Sequence, residues 1–283
     1  MRLRSLLFVP GDRPDRFAKA AASGADAIIL DLEDSVSPAN KDMARGAVAD
    51  YLAGTREVIT LVRVNPLDGH MTAADIAAIV GAAPDAIMLP KAEGAPSLAQ
   101  LDTILRSEGG DTDHLPPVLP IATETPAAIF TLGSYREARD RLVGLTWGAE
   151  DLPAAIGAAT SREADGSYTD PYRVARALTL FAAHGAGVAA IDTVFPAIKD
   201  EQGLAAYATR ARRDGFTGMM AIHPSQVAPI NAAFTPAEED VARAQAIVDA
   251  FAANPGAGVL QVDGKMVDAP HLKQARHILS LAD

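Results

Sequence analysis

Short apolar segments alternate along the chain with longer stretches whose apolar residues recur at helical spacing. Eight apolar segments have the length of strands and cover residues 3–9, 27–32, 58–64, 86–89, 118–122, 142–147, 188–194 and 218–222. The stretches between them have the spacing and composition of helices, at residues 15–23, 41–52, 72–80, 98–106, 127–132, 172–183 and 203–213. Segments such as 27–30 are apolar throughout, which is typical of strands buried on both faces. The pattern therefore predicts a parallel sheet whose strands are joined by helices.

Eight strand–helix units favour closure into a TIM (β/α)₈ barrel. The alternative is an open doubly wound sheet, which uses the same units and often carries a glycine-rich phosphate turn after its first strand. Here Pro10-Gly11-Asp12-Arg13-Pro14 follows the first predicted strand, and the chain contains no G-x-G-x-x-G or Walker sequence. We therefore expect an α/β barrel over residues 1–235. Residues 236–283 are expected to form a C-terminal lid extension, with helices at 236–252 and 269–281 and a polar loop at 256–268.

Composition narrows the class of protein further. The 283 residues are 49% hydrophobic and 22% charged, which suits a globular protein with a sizeable core. The formal net charge of −11 argues against a nucleic-acid-binding surface, because phosphates are bound by clustered Lys and Arg. The absence of Cys excludes disulfides and thiolate metal sites. The apolar segments are shorter than the roughly 20 residues of a membrane-spanning helix, and we see no signal peptide, so we expect a cytoplasmic protein without membrane contact.

Polar side chains follow nearly every predicted strand, at the end of the barrel where active sites lie. They include Asp31, Glu33, Asp34, Arg63, Lys91, Glu124, Asp151, Asp192 and His223. Glu124 and Asp151 are of chief interest, because converging carboxylates repel each other unless a cation lies between them, and oxygen ligands favour Mg²⁺. The alternative is that both residues cap the helices that follow, with Pro126 at a first helical position. Spacing alone does not decide between a metal site and two caps.

Arg63 lies in a predicted strand that is otherwise apolar, so its buried charge needs a carboxylate partner. The partner is either a substrate carboxylate, which we favour, or the acidic run at 31–34, which would make a structural ion pair. Glu33 and Asp34 are interpreted as residues that support catalysis, with a helix N-terminus and salt-bridge cluster as the alternative. Lys91 could form a Schiff base in a metal-free aldolase, but a carboxylate-rich pocket would keep it protonated and unreactive.

The motifs around these residues point to one family when they are considered together. They are Leu6-Leu7-Phe8-Val9-Pro10-Gly11, Asp31-Leu32-Glu33-Asp34, Arg63-Val64-Asn65, Leu89-Pro90-Lys91, Glu124-Thr125-Pro126, Gly148-Ala149-Glu150-Asp151 and Ile222-His223-Pro224-Ser225-Gln226. In this order they resemble the citrate lyase β-subunit and malyl-CoA lyase family over essentially the whole chain. The resemblance implies a barrel lyase that uses Mg²⁺, or Mn²⁺ in its place. It also implies that Glu124 and Asp151 bind the metal, that Glu124 contacts substrate, and that Arg63 binds the carboxylate of a 2-oxo acid.

The C-terminal tail carries a further part of the resemblance. Residues 264–270 read Gly-Lys-Met-Val-Asp-Ala-Pro and resemble the family's lid, whose aspartate reaches into a neighbouring subunit as an acid or base. The resemblance therefore implies a catalytic role for Asp268 and a homo-oligomer, either a trimer or a hexamer. Arg13, Arg16 and Lys19 are the nearest basic group for the phosphates of coenzyme A, although a solvated surface helix explains them equally well.

The resemblance implies cleavage or formation of a 3-hydroxyacyl-CoA thioester such as malyl-, citramalyl- or citryl-CoA, with acetyl-CoA or a homologue and a 2-oxo acid on the other side of the reaction. Two alternatives stay open. One is a non-catalytic or carrier-protein-dependent subunit that binds Mg²⁺ and an oxo acid, and the other is a malate synthase-like enzyme that hydrolyses the thioester. Where relatives often show Ile-Glu-Thr-Pro, residues 121–126 read Ile-Ala-Thr-Glu-Thr-Pro, so the acyl group is not defined.

Overall fold

The computed structural model describes residues 1–110 and 114–282, and the chain forms two compact units. The first unit is Met1–Asn231 and the second is Ala232–Asp283. The sequence prediction placed this boundary after residue 235. None of the helices in the described ranges is long and apolar enough to span a membrane.

The first unit is built on eight parallel strands. They are β1 (Ser5–Pro10), β2 (Ala27–Asp31), β3 (Ile59–Arg63), β4 (Ala86–Leu89), β5 (Val118–Pro120), β6 (Gly144–Thr146), β7 (Ala189–Asp192) and β8 (Gly218–Ala221). They are hydrogen-bonded in the order β5-β4-β3-β2-β1-β8-β7-β6. Parallel bridges from Val118 to Leu142 and from Ile121 to Thr146 join the β5 and β6 ends of the sheet. The sheet is thus closed into a near-complete barrel, and the predicted (β/α)₈ fold is confirmed.

Helices follow the strands as the sequence pattern predicts, with some differences at their ends. They are α1 (Phe17–Ala21), α2 (Lys41–Ala53), α3 (Met71–Ile79), α4 (Ala95–Ser107), α5 (Pro126–Thr131), α6 (Asp151–Ile156), α7 (Asp170–Ala186), α8 (Glu201–Asp214) and α9 (Val227–Phe234). The predicted helix at 127–132 continues as the 3-10 helix Leu132–Arg141, and α1 is preceded by the 3-10 turn Pro14–Arg16. Helices α6 and α9 lie outside the stretches predicted to be helical.

Apolar side chains from all around the sheet fill the barrel. The buried cluster consists of Leu3, Leu6, Ala27, Ile29, Leu61, Ala86, Met88, Leu119, Ile121, Ile191 and Met220. Along β2, Ala27 and Ile29 belong to this cluster while Ile28 is equally buried outside it, as expected when alternate side chains face the interior and the surrounding helices. Each fully buried Leu, Ile or Met contributes about 1.5–3 kcal/mol. A packed interior leaves the strand ends as the place for a cavity.

The second unit contains a hairpin between two helices. Helix α10 (Glu238–Ala253) is followed by β9 (Val259–Val262), β10 (Lys265–Asp268) and α11 (Ala269–Ala282), with the two strands antiparallel. The expected polar loop at 256–268 is therefore wrong over most of its length. Asp263 and Gly264 connect the strands with φ of 50° and 74°, the left-handed backbone that a tight Asp-Gly hairpin turn requires. A small core of Ala244, Ile247, Val267 and Ala275 holds this unit together.

Candidate active site

A cavity of about 420 Å³ opens at the carboxyl ends of the barrel strands. Its walls combine apolar and charged side chains, namely Phe8, Pro10, Asp31, Asp34, Ser35, Arg63, Ile121, Glu124, Ala149, Glu150, Asp151, Thr193, Val194, Met220 and Ile222, together with Gly148. Five of the polar residues identified after the predicted strands line this cavity, namely Asp31, Asp34, Arg63, Glu124 and Asp151. The position agrees with the rule that barrel active sites form from strand ends and the loops that follow them.

Glu124 and Asp151 lie close together on the cavity wall. Glu124 is only 4% exposed, and Asp151 is within hydrogen-bonding reach of it. Burial, and after it the contact with Asp151, raises the pKa of Glu124 well above its ordinary value. Two carboxyl groups in this arrangement hold either a shared proton or a cation between them.

Neither carboxylate caps a helix, which was the alternative explanation for the pair. The side chain of Thr125 accepts from the Ala128 N–H and caps α5, with Pro126 in the first turn. Helix α6 begins at Asp151, and its cap residue Glu150 makes no side-chain capping bond. The carboxylate of Glu124 is therefore free of a capping role and points to the cavity.

The donor set fits a hard divalent cation. Among the described residues, His, Cys, Asp and Glu form no group of three or more that could hold a metal, so any cation here would have two protein carboxylates. Mg²⁺ commonly binds in this way, with waters and substrate oxygens completing its octahedron. The backbone also makes room for the pair, because a Cβ added at Gly148 would lie 2.5 Å from Cγ of Glu124. The residues present thus fit Mg²⁺ and leave positions open for substrate oxygens.

Arg63 has protein carboxylates as its partners. Its Nε and Nη2 donate to Oδ1 and Oδ2 of Asp31 at 2.6 and 2.7 Å, and its Nη1 lies 2.9 Å from Oε2 of Glu33. Burial favours a higher pKa for Asp31, but the hydrogen bonds and charge of Arg63 outweigh it and lower that pKa. Our preference for a substrate carboxylate as the partner of this charge needs correction, because the acidic run neutralises it within the protein. A contact with substrate stays a prediction, since Arg63 also lines the cavity.

The other two acidic residues of the run differ in exposure. Glu33 is 4% exposed and is not part of the cavity wall, whereas Asp34 lines the cavity with a side chain that is 61% exposed. Burial raises the pKa of Glu33 despite the opposing charges of Arg63 and Lys91. Glu33 is therefore placed to support its neighbours, and Asp34 to meet solvent or a ligand.

Lys91 contacts both the carboxylate pair, through Glu124, and the cluster around Arg63, through Glu33. Its backbone N–H donates to Oε2 of Glu124 at 2.6 Å, and its Nζ donates to Oε1 of Glu33 at 2.7 Å. Burial opposes the charge of Lys91, but the bond to Glu33 and the surrounding carboxylates raise its pKa overall. A lysine that stays protonated is a poor nucleophile, so the Schiff-base alternative finds no support in this geometry.

Lys41 is a site-supporting residue that the sequence analysis did not identify. Its Nζ donates to the carbonyls of Leu32 and Glu33 at 2.6 and 2.7 Å and to Oδ1 of Asn65 at 2.9 Å. It holds the loop after β2 against the end of β3. Lys41 begins α2, where a lysine normally faces solvent, and the sequence contains no signal that this one is buried.

Asp192 was predicted to lie among the rim residues, but its side chain contacts Trp147 and the helix α7 outside the barrel. Its Oδ1 accepts from Nε1 of Trp147 at 2.6 Å and its Oδ2 from Arg176 of α7 at 2.7 Å. The neighbouring Ile191 faces the barrel interior, so Asp192 must face the helices. Both faces of this strand are apolar in sequence, and the direction of Asp192 is not readable from it.

Only two of the three basic residues after β1 that were predicted to bind phosphates line a common cavity. Arg16 and Lys19 line a second cavity of about 480 Å³, which also includes His223. Arg13 is not in it and instead pairs with Asp15 on the surface, with Nη2 2.9 Å from Oδ2. Phe8, Pro10 and Ile222 border both this cavity and the first one, so the two cavities are adjacent. The predicted trio is thereby reduced to Arg16 and Lys19.

Asp268 ends β10 in the second unit and is half-buried. Its Oδ1 lies 2.5 Å from Nδ1 of His271 and also accepts from the His271 N–H at 3.5 Å. The hydrogen bond from His271 lowers the pKa of Asp268. The same carboxylate thus stands at the N-terminus of α11, where an acidic side chain is a favourable cap.

Comparison with known proteins identifies the family of the chain. The family model described as HpcH/HpaI aldolase/citrate lyase matches residues 4–224, which is nearly all of the barrel unit. The chain belongs to this family. The resemblance inferred from the motifs is thereby confirmed.

Relatives from the family cover almost the full length of the chain. A citrate lyase subunit beta-like protein of Mycobacterium tuberculosis is 39% identical over 98% of this chain and 94% of its own length. The L-malyl-CoA/beta-methylmalyl-CoA lyase of Cereibacter sphaeroides is 32% identical over 99% of this chain and 94% of its own. Protein CitE of M. tuberculosis, crystallised with magnesium, acetoacetate and coenzyme A, matches with a TM-score of 0.83 at 37% identity over 99% of this chain and 98% of that chain. These relatives indicate that this family member is a lyase.

Proposed function

We propose that the protein is a Mg²⁺-dependent carbon–carbon lyase for a 3-hydroxyacyl-CoA thioester such as malyl-, citramalyl- or citryl-CoA. The observation that carries the proposal is the buried Glu124 with Asp151 beside it, in the same cavity as Arg63. The malyl-CoA lyase relative and the CitE complex with magnesium and coenzyme A support the same assignment. The products would be acetyl-CoA or a homologue and a 2-oxo acid.

Cleavage of such a thioester is a retro-Claisen reaction. The hydroxyl group loses its proton and becomes the carbonyl of the 2-oxo acid, while the electrons of the broken carbon–carbon bond pass to the thioester as an enolate. The enolate carbon then takes up one proton, so no further reactant is needed. A Mg²⁺ held by Glu124 and Asp151 would supply a Lewis acid and a template for the hydroxyl and carboxylate oxygens.

The chain's own residues have separate tasks in this scheme. Arg63 borders the cavity, and Asp31 and Glu33 hold its guanidinium in place, so the N–H bonds that they leave open would bind the substrate carboxylate. Phe8, Ile121 and Met220 line the same cavity and exclude water from the reacting atoms. Asp268, supplied by the C-terminal unit of a neighbouring subunit in a homotrimer or hexamer, would give the proton to the enolate or remove it in the reverse direction.

Arg16 and Lys19 are proposed to bind the phosphates of coenzyme A. They line the cavity beside the carboxylate site, although the protein as a whole carries a net charge of −11. Two cations in a concave site provide the local basic surface that a nucleotide needs on an acidic protein.

A second candidate is a subunit that acts on a carrier-bound thioester within a larger complex. The relative from M. tuberculosis is described as citrate lyase subunit beta-like, which favours considering it. The barrel site would be the same, and only the group that carries the acyl chain would differ, a carrier protein in place of coenzyme A.

The test is a panel of malyl-, methylmalyl-, citramalyl- and citryl-CoA, each incubated with the purified protein and Mg²⁺. We expect 2-oxo acid and an acyl-CoA from one member, with release stopped by a chelator and restored by excess Mg²⁺. Free CoA in place of acyl-CoA would mean that the thioester is hydrolysed. No release from any of the four thioesters by folded protein would reject the lyase acting on free CoA and favour the carrier-dependent subunit.

A further inference from the structure

Lys91 has a backbone conformation that a lysine seldom adopts. Its φ is 51°, and the other described non-glycine residues with positive φ are Ala83 and Asp263. Ala83 ends a 3-10 helix and Asp263 forms the hairpin turn, so both have a local reason for this backbone. Lys91 also lies in a turn, which it forms with Pro90 directly after β4, but here both the backbone N–H and the side chain contact carboxylates of the site. Left-handed backbone at a non-glycine residue persists only where the surroundings impose it, and such residues cluster at functional sites.

The left-handed backbone aims the Lys91 N–H at the carboxylate pair. This N–H donates to Oε2 of Glu124 at 2.6 Å. Glu124 is 4% exposed and packs closely against Gly148, so few directions of approach are left for a donor. The bond fixes which way the Glu124 carboxylate faces.

The side chain of the same residue reaches the other half of the site. Nζ of Lys91 donates to Oε1 of Glu33 at 2.7 Å, while Oε2 of Glu33 lies 2.9 Å from Nη1 of Arg63. Glu33 is thus held between two cations. Through Glu33, Lys91 restrains the third nitrogen of the Arg63 guanidinium, the one that Asp31 does not bind.

We propose that Lys91 is a positioning residue that couples the metal-binding carboxylates to the Arg63 clamp. Its backbone N–H orients Glu124 towards the cation, its ammonium group holds Glu33 against Arg63, and the left-handed φ lets one residue do both. The inference rests on the proposed roles of Glu124 and Arg63 but assigns a function to a residue outside the cavity wall.

Two substitutions separate the backbone contribution from that of the ammonium group. Lys91→Gly removes Nζ, keeps the N–H and relieves the left-handed strain. Lys91→Ala removes Nζ but keeps the strain that Lys91 already carries, with no side-chain contact left to hold the backbone there. Because both variants lack the side chain, a difference between them reports on the backbone alone. Lys91→Arg keeps a cation near Glu33 and serves as the conservative variant.

Binding is measured by calorimetry on the full-length protein, first with Mg²⁺ alone and then with pyruvate in the presence of Mg²⁺. We expect Lys91→Gly to keep Mg²⁺ affinity within about threefold of wild type, and Lys91→Ala to weaken it about tenfold as its backbone relaxes away from Glu124. We expect both variants to bind pyruvate about tenfold more weakly, and Lys91→Arg to restore most of that loss. Melting temperatures within a few degrees of wild type show that each variant is folded.

The outcomes distinguish this inference from the proposed function. Wild-type affinities in both Lys91→Ala and Lys91→Gly would overturn the positioning role and leave the lyase intact. Equal loss of Mg²⁺ affinity in the two variants would overturn the role of the backbone N–H. Failure of the wild-type protein to bind Mg²⁺ at all would overturn both the proposed function and the inference.

Discussion

Gly148 shows how a single missing side chain shapes the carboxylate pair. A Cβ at this position would meet Cγ of Glu124 at 2.5 Å and its Cδ at 3.1 Å. Glu124 is buried and cannot swing aside without losing its bond to the Lys91 N–H. Gly148 is needed because the side chain of Glu124 lies where a Cβ would be, and not because the backbone has a left-handed conformation here.

We therefore expect Gly148→Ala to displace Glu124, to weaken Mg²⁺ binding by about tenfold or more, and to lower the free energy of unfolding by about 1–3 kcal/mol through overpacking. Calorimetry and urea unfolding measure the two effects. Gly46→Ala in α2 is the matched control, because an added Cβ there meets nothing within 4 Å and should leave Mg²⁺ binding unchanged. Equal Mg²⁺ affinity in Gly148→Ala and wild type would contradict the placement of Glu124 as a ligand.

The buried pair Asp31 and Arg63 links stability to pH. The pKa of Asp31 is lowered in the folded protein, so its ionised form stabilises the fold above the unfolded pKa of about 3.9. As the pH falls through the folded pKa, that contribution is lost. Asp31→Asn should therefore cost about 3 kcal/mol at pH 7, and the difference from wild type should shrink below about pH 4. Urea unfolding between pH 3 and 7 gives both curves, and a constant difference across that range would refute the linkage.

For single residues, the sequence predicts which ones belong to the site more reliably than it predicts where their side chains point. Glu124, Asp151 and Arg63 were selected because each follows or ends an apolar strand, and all three line one cavity. The acidic run was only the alternative partner for Arg63, and the burial of Lys41 and the outward direction of Asp192 were not predicted. Each depends on which way a side chain leaves the backbone at a strand end or a helix start, and the one-dimensional pattern does not contain that information.

At the scale of elements, the strands were predictable because the barrel buries them on both faces. All eight predicted segments overlap observed strands, and β4 agrees in both ends. The β9–β10 hairpin was not predicted because each of its strands has only four residues. The strands are largely exposed, so they contain polar as well as apolar residues. The sequence Asp263-Gly264 between two alternating segments was the available signal, and we interpreted its glycine as a sign of a loop.

The hairpin turn provides a test of the second unit. Gly264 has a φ of 74° and nothing near its absent Cβ, so Gly264→Ala strains the backbone without a steric clash. We expect a loss of about 1–2 kcal/mol in the local stability of this unit, measured by amide exchange of the β9 and β10 residues. Gly258→Ala has open space and no left-handed φ, so it should leave exchange unchanged. Equal exchange in both variants would contradict the turn geometry.

At the scale of the whole molecule, the proposed chemistry is divided between the two units. The carboxylate pair belongs to Met1–Asn231 and Asp268 to Ala232–Asp283. If Asp268 acts in a neighbouring subunit, Glu124→Gln and Asp268→Asn proteins should each show little activity at a Mg²⁺ concentration that saturates only the wild type. They should regain activity when they are mixed and exchange subunits. Asn is as good a helix cap as Asp, so Asp268→Asn should keep α11 intact. A mixture as inactive as its components, under conditions of proven exchange, would rule out a shared site.

The rate of 2-oxo acid release as a function of Mg²⁺ concentration, in the wild type and in Glu124→Gln, tests the central claim most directly. Glu124→Gln keeps the shape of the side chain and removes one of the two charges that would hold the cation. We expect a saturable dependence on Mg²⁺ in the wild type and a dependence shifted to at least about tenfold higher Mg²⁺ in the variant, with a lower maximal rate. Release at full rate without Mg²⁺, or the same Mg²⁺ dependence in both proteins, would contradict the central claim.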